Sequence, residues 1–157
     1  MNYFDEYLYK YGLHDCKLNK MEIKNGILHL YFDQGVYELD ERGKEISLTG
    51  SCTVMIELSE RFTELEAKER IEIVKISKRK KFEIDYEVFK KRVDRFGFDI
   101  IINYYSYFCN TIMMKGYMKS DEYEITIPMV KKVSFKEDSS MSSSVKTVDG
   151  GVPPVEK

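Results

Sequence analysis

The chain has 157 residues, 43% hydrophobic and 33% charged, with a formal net charge of −2. That length favours one domain with a core of its own, and that charge lacks the basic footprint of a general nucleic-acid binder. Cys16, Cys52 and Cys109 are odd in number and show no CxxC spacing, which excludes a disulfide framework and a zinc-finger pattern. They read as reduced thiols of a cytoplasmic protein. The opening "MNYFDEYLYKYG" carries acidic residues and no apolar run, unlike a secretory leader. The most apolar window, residues 98–114, is broken by Asp99, Asn103 and Asn110 and is too short and polar to span a bilayer. No membrane association is expected.

With 12 tyrosines, 9 phenylalanines and a single alanine (Ala67), the composition leans towards strands. Residues 2–11 predict a short helix: Asn2 caps it, Tyr3, Phe4, Tyr7, Leu8 and Tyr11 recur at helical spacing, and Gly12 ends it. In "KMEIKNGILHLYF", Asn25-Gly26 is the dipeptide of a two-residue type I′ turn. That turn predicts a hairpin pairing Lys24 with Ile27, Ile23 with Leu28, Glu22 with His29, Met21 with Leu30 and Lys20 with Tyr31. The alternation slips at Leu18-Asn19. A second pair of short strands surrounds a turn at residues 41–43. "SCTVMIEL" places Cys52, Val54, Ile56 and Leu58 on one face, making Cys52 a core residue. Thr63 to Glu66 fits a capping box for a brief helical turn, and "RIEIVKI" reads as a strand.

The one internal amphipathic helix expected is "DYEVFKKRVDRFG", with Asp85 as N-cap, Gly97 after its end and Tyr86, Phe89, Val93 and Phe96 as its apolar stripe. Two or three antiparallel strands follow, with a turn near Ser120-Asp121. From Ser134 the chain is rich in Ser, Gly and Pro and short of bulky residues. The fold class is therefore α+β: a mainly antiparallel β-sheet, as a sandwich or half-barrel, with a short N-terminal helix and one internal helix. The globular domain spans 1–133, and 134–157 form a disordered tail.

The stretch "YGLHDCKL" sets a base, a carboxylate and a thiol side by side at His14, Asp15 and Cys16. In an extended strand Asp15 faces away from the other two, and His14 and Cys16 stand roughly 6.5–7 Å apart. A working Cys–His pair needs a reach of about 3 Å. As a strand lead-in the stretch is a junction, in which Asp15 or His14 fixes a turn. No catalytic residue is assigned. A metal site is not expected either, because His14, Cys16, His29, Cys52 and Cys109 are widely spaced and the hairpin sets His29 opposite Glu22 on a polar face. The basic run Lys75 to Lys81 offers a phosphate or RNA contact, but acidic residues lie just upstream and a solvated turn explains it. Tyr104, Tyr105 and Tyr107 offer stacking or interface surface. No nucleotide, zinc-protease or hydrolase fingerprint occurs, so no cofactor is expected.

At "LHDCKLNKMEIKNGILHLYF" the chain resembles a loose group of small bacterial β-rich domains with a Leu-His-Asp element before a tight hairpin, some of them immunity proteins encoded beside toxins. The likeness covers residues 13–58. It implies a small sheet domain that binds a partner and carries no catalytic residue. The function expected is thus a non-catalytic, immunity-like protein-binding module, with His14, Asp15, Tyr104, Tyr105 and Tyr107 as binding residues and homo-oligomerisation left open. The alternatives are a ligand-binding protein or enzyme with a cleft near His14 and, less favoured, an RNA binder using Lys75 to Lys81.

Overall fold

A computed structural model describes residues 10–59, 62–106 and 110–137. In chain order the elements are β1 (Tyr11–Gly12), β2 (Lys17–Leu18), β3 (Lys20–Lys24), β4 (Ile27–Phe32), β5 (Tyr37–Leu39), β6 (Glu45–Leu48) and β7 (Cys52–Leu58). Helix α1 (Glu64–Arg70), β8 (Glu72–Ser77), β9 (Lys80–Glu83), helix α2 (Tyr86–Phe96), β10 (Phe98–Ser106), β11 (Thr111–Met118), β12 (Asp121–Ile127) and β13 (Val130–Glu137) follow. The strands form three open antiparallel sheets, in the orders β1-β5-β6, β2-β10-β11-β12-β8-β9 and β13-β7-β4-β3. Among the described residues none closes into a barrel.

The Asn25-Gly26 turn performs as its chemistry requires. Both residues take left-handed φ, 54° and 77°, and the β3–β4 register pairs Lys20 with Tyr31, Glu22 with His29 and Lys24 with Ile27. Met21, Ile23, Leu28, Leu30 and Phe32 are buried as a result. The slip at Asn19 is a change of sheet. Lys17 and Leu18 pair with β10, while Lys20 onward pairs with β4. Asn19 bridges the step: its N–H donates to the Tyr31 carbonyl at 2.8 Å, and its Oδ1 accepts from the Asp33 N–H at 2.9 Å.

Three expectations are corrected. Residues 1–9 of the anticipated N-terminal helix lie outside the described residues; Lys10 is helical, but Tyr11 and Gly12 are strand, paired with Glu38 and Tyr37. Helical geometry thus stops at Lys10, one residue short of the expected bound at Tyr11. There are two internal helices among the described residues, because the Thr63 capping box, with Glu66 closing it, supports seven residues of α1 rather than a single turn. The folded chain also passes residue 133: Ser134, Phe135, Lys136 and Glu137 continue β13 along β7. Their Ser-containing composition hid a strand whose Phe135 ring stacks on Tyr11 at 4.3 Å.

Helix α2 begins at Asp85, whose carboxylate accepts the Glu87 N–H, and ends at Gly97. It buries Tyr86, Phe89 and Val93, and Phe89 meets Phe98 and Tyr123 edge-on at 5.5 and 5.3 Å. Asp94 on the same helix accepts the Met21 N–H of β3. The buried faces of the two larger sheets and this helix thus share one core cluster.

One close backbone approach governs β10–β11. The register shifts between Ile100 and Ile102 opposite Gly116, where an added Cβ would stand 2.0 Å from the Asp99 carbonyl oxygen. Gly116→Ala must displace backbone, and a loss of about 2–4 kcal/mol is expected in urea unfolding. At Gly50 an added methyl group meets the Glu137 carboxylate at an ordinary 3.7 Å, so Gly50→Ala should stay within about 0.5 kcal/mol. Equal costs for the two variants would contradict the packing described.

Candidate functional site

The residues after β1 do not continue as a strand. His14 and Asp15 form a turn in which Asp15 takes a left-handed φ of 60°, a conformation that Asp tolerates better than most residues. Three backbone bonds hold it. The Asp15 N–H donates to the Ile100 carbonyl at 2.7 Å, the Ile100 N–H donates to the Cys16 carbonyl at 2.9 Å, and the Cys16 N–H closes the turn on Leu13 at 3.2 Å. Leu13 and Cys16 point into the core.

This turn changes the geometry expected from a strand. His14 and Asp15 now face the same region, and Glu45 of β6 joins them: one donor atom from each of the three lies within 4.8 Å of the others. The His14 Nε2 is hydrogen-bonded to the Glu45 carboxylate. The imidazole stacks on Tyr37 at 5.7 Å and 20° and lies over Gly12, where a Cβ would approach Cε1 to 2.9 Å and Nδ1 to 3.0 Å. Glycine at position 12 is what allows the ring this place. Burial first, then the charges of Glu45, Cys16 and Asp15, push the Tyr37 phenol above its ordinary range.

Cys16 is adjacent in sequence but not a partner of His14 in chemistry. Its Sγ donates to the carbonyls of Gly12 and His14, at 3.6 and 3.5 Å. Burial, assisted by the carboxylates of Asp15 and Glu45, pushes the thiol up to about 11. With Nε2 engaged by Glu45 and Nδ1 over Gly12, no Cys–His dyad is assembled.

The tyrosines separate. Tyr104 pairs with Met113, and Ile102 with Lys115, on the outer face of the six-stranded sheet. Tyr105 points the other way, opposite buried Ile112, and lines an open depression of about 1070 Å³ with Lys10, Leu39, Arg42 and Ile46. Tyr107 lies outside the described residues. Leu39 also approaches the position that a Gly12 side chain would take, so the depression borders the His14 turn.

The basic run proves to be the turn of the β8–β9 hairpin, with Lys78 and Arg79 both at left-handed φ. The short strand β9 separates this turn from helix α2. Lys75 pairs with Asp121 and Lys81 with Glu124, each at 3.5 Å. His29 does stand opposite Glu22, but Glu22 takes the Tyr31 hydroxyl instead, a bond that holds its carboxyl below the usual range. His29 Nδ1 contacts the Ile27 carbonyl at 3.0 Å.

Glu45 escaped the sequence reading. The β5–β6 hairpin was recognisable, yet only the pairing of Leu39 with Glu45, at an irregularity after Glu38, brings that carboxylate to His14. Comparison of the chain with known protein families, curated proteins and solved structures finds no match.

A thiol moved from 9.0 to about 11 holds roughly a hundred-fold less thiolate at pH 8. Iodoacetamide should therefore label Cys16 far more slowly in the folded protein than in urea, as read by peptide mass mapping. The raised value also fixes a sign for stability: the contribution is full below pH 9 and is lost as pH rises towards 11, since the unfolded thiol ionises first. Rapid labelling of Cys16 in the folded protein at pH 8 would contradict its placement.

Proposed function

We propose that this protein is a non-catalytic, immunity-like binding module of the cytoplasm that docks a protein partner through the outer face of its six-stranded sheet. The observation that carries the reading is a concentration of large apolar side chains on two neighbouring strands. Ile101, Ile102, Tyr104 and Tyr117 are each 44% to 47% exposed. Beside them Glu124 lies between Lys81 and Lys115, at 3.5 and 3.6 Å, on a face shared through the Lys115–Glu124 and Lys115–Ile102 pairings. Apolar and tyrosine anchors within a rim of mixed charge are the usual anatomy of a protein–protein interface. Docking of this kind needs no cofactor. A second copy of the chain is one partner that such a face can take.

A ligand-binding role beside His14 is the second reading, favoured by the depression that borders the turn. RNA binding through residues 75–81 is the weakest, because carboxylates already engage Lys75 and Lys81.

The test is growth protection. Toxins encoded beside the gene are expressed with the protein or with its Ile102→Glu/Tyr104→Lys variant, which alters exposed positions only. The protein should protect and form a stable complex with one toxin, and the variant should lose at least about ten-fold in affinity while unfolding normally. Equal protection by the variant, or protection against none of the toxins together with no saturable protein complex, overturns the proposal.

A further inference from the structure

We infer that His14, Asp15 and Glu45 form a binding site for a divalent first-row transition cation of the zinc class. The donor set is one imidazole nitrogen and two carboxylate oxygens, all within 4.8 Å of one another. Two donors on a tetrahedral ion, each roughly 2.1 Å from it, stand about 3.4 Å apart. Closing donors that lie within 4.8 Å of one another therefore takes up to about 1.4 Å of side-chain adjustment. The side chains of His14 and Glu45 are 35% and 40% exposed, so they have room to make it and the ion has a path in.

What separates this cluster from a chance meeting of surface charges is that each ligand is positioned by a different part of the fold. Backbone bonds to Ile100 lock the Asp15 turn. Tyr37 and the missing side chain of Gly12 set the plane of the His14 ring. The β5–β6 pairing sets Glu45. His14 Nε2 already points at a Glu45 oxygen, and a cation would replace the proton shared between them.

The chemistry of the donors selects the class of ion. An imidazole ligand disfavours Ca²⁺ and Mg²⁺, which take oxygen, and favours Zn²⁺, Co²⁺ or Ni²⁺. Cys16 is the nearest soft ligand, but its thiol is buried and bonded to two carbonyls. The set is thus three protein ligands of nitrogen and oxygen, with the remaining positions left to water.

The experiment is a calorimetric titration of the full-length chain with Zn²⁺, Co²⁺, Ca²⁺ and Mg²⁺. One equivalent of Zn²⁺ should bind saturably and raise the unfolding temperature, with Co²⁺ binding at the same site and Ca²⁺ and Mg²⁺ showing no saturable heat. His14→Gln, Asp15→Asn and Glu45→Gln should each weaken Zn²⁺ at least about ten-fold; Asn keeps the left-handed turn that position 15 requires. His29→Gln replaces the only other histidine and should leave the affinity unchanged. No saturable Zn²⁺ heat overturns the inference. So does binding that survives Glu45→Gln unweakened, since that exposed substitution on β6 leaves the turn and the core untouched. The protein-docking face lies elsewhere on the molecule, and failure of one proposal leaves the other standing.

Discussion

The structure depends on fourteen residues, Tyr11 to Lys24, that give one strand to each of its three sheets. β1 joins the small sheet, β2 the six-stranded sheet and β3 the four-stranded sheet. Such a path needs two abrupt changes of direction, at His14-Asp15 and at Asn19, and each leaves backbone polar groups to be satisfied. Ile100 satisfies the first, exchanging bonds with Asp15 and Cys16, and Tyr31 and Asp33 satisfy the second through Asn19. With these in place, Leu13, Cys16, Leu18, Met21 and Ile23 all enter one core.

The candidate site is a by-product of that crossing. A turn tight enough to pass from one sheet to the next projects consecutive side chains outward together, which a strand would not do. His14 and Asp15 therefore meet at the rim of the small sheet, where Glu45 waits on β6 and Tyr37 on β5. The thiol that makes the stretch look reactive in sequence is instead one of the anchors, turned inward against carbonyl oxygens. The donors left facing outward here are the nitrogen of His14 and the carboxylate oxygens of Asp15 and Glu45.

Local signals in the sequence were strong where a single interaction decides the outcome. Asn25-Gly26 defines the β3–β4 register residue by residue, Asp85 and Gly97 bound α2, and the Thr63–Glu66 capping box marks α1. Signals failed where distant partners decide. Phe135 becomes strand because β7 offers it an edge, despite the serines that follow. Lys80 to Glu83 become β9 because β8 folds back at Lys78-Arg79. The site was half legible: His14 and Asp15 stand out as residue types, but their meeting rests on the left-handed turn at Asp15, and Glu45 lies 31 residues beyond His14 along the chain. The exposed face of Ile102 and Tyr104 was legible only as an excess of aromatics, since the irregularity after Ile100 decides which residues face out.

The stitching of three sheets by residues 11–24 is most directly tested by native-state hydrogen exchange. If the two crossings hold the sheets together, the amide protons of Asp15, Asn19 and Ile100 should exchange only through global unfolding, with protection matching that of the β4–β7 core. The exposed β6 amides should exchange faster, by local opening. Exchange of Asp15 and Ile100 as fast as β6, while β4 and β7 stay protected, would show that the crossing opens freely and would contradict the account.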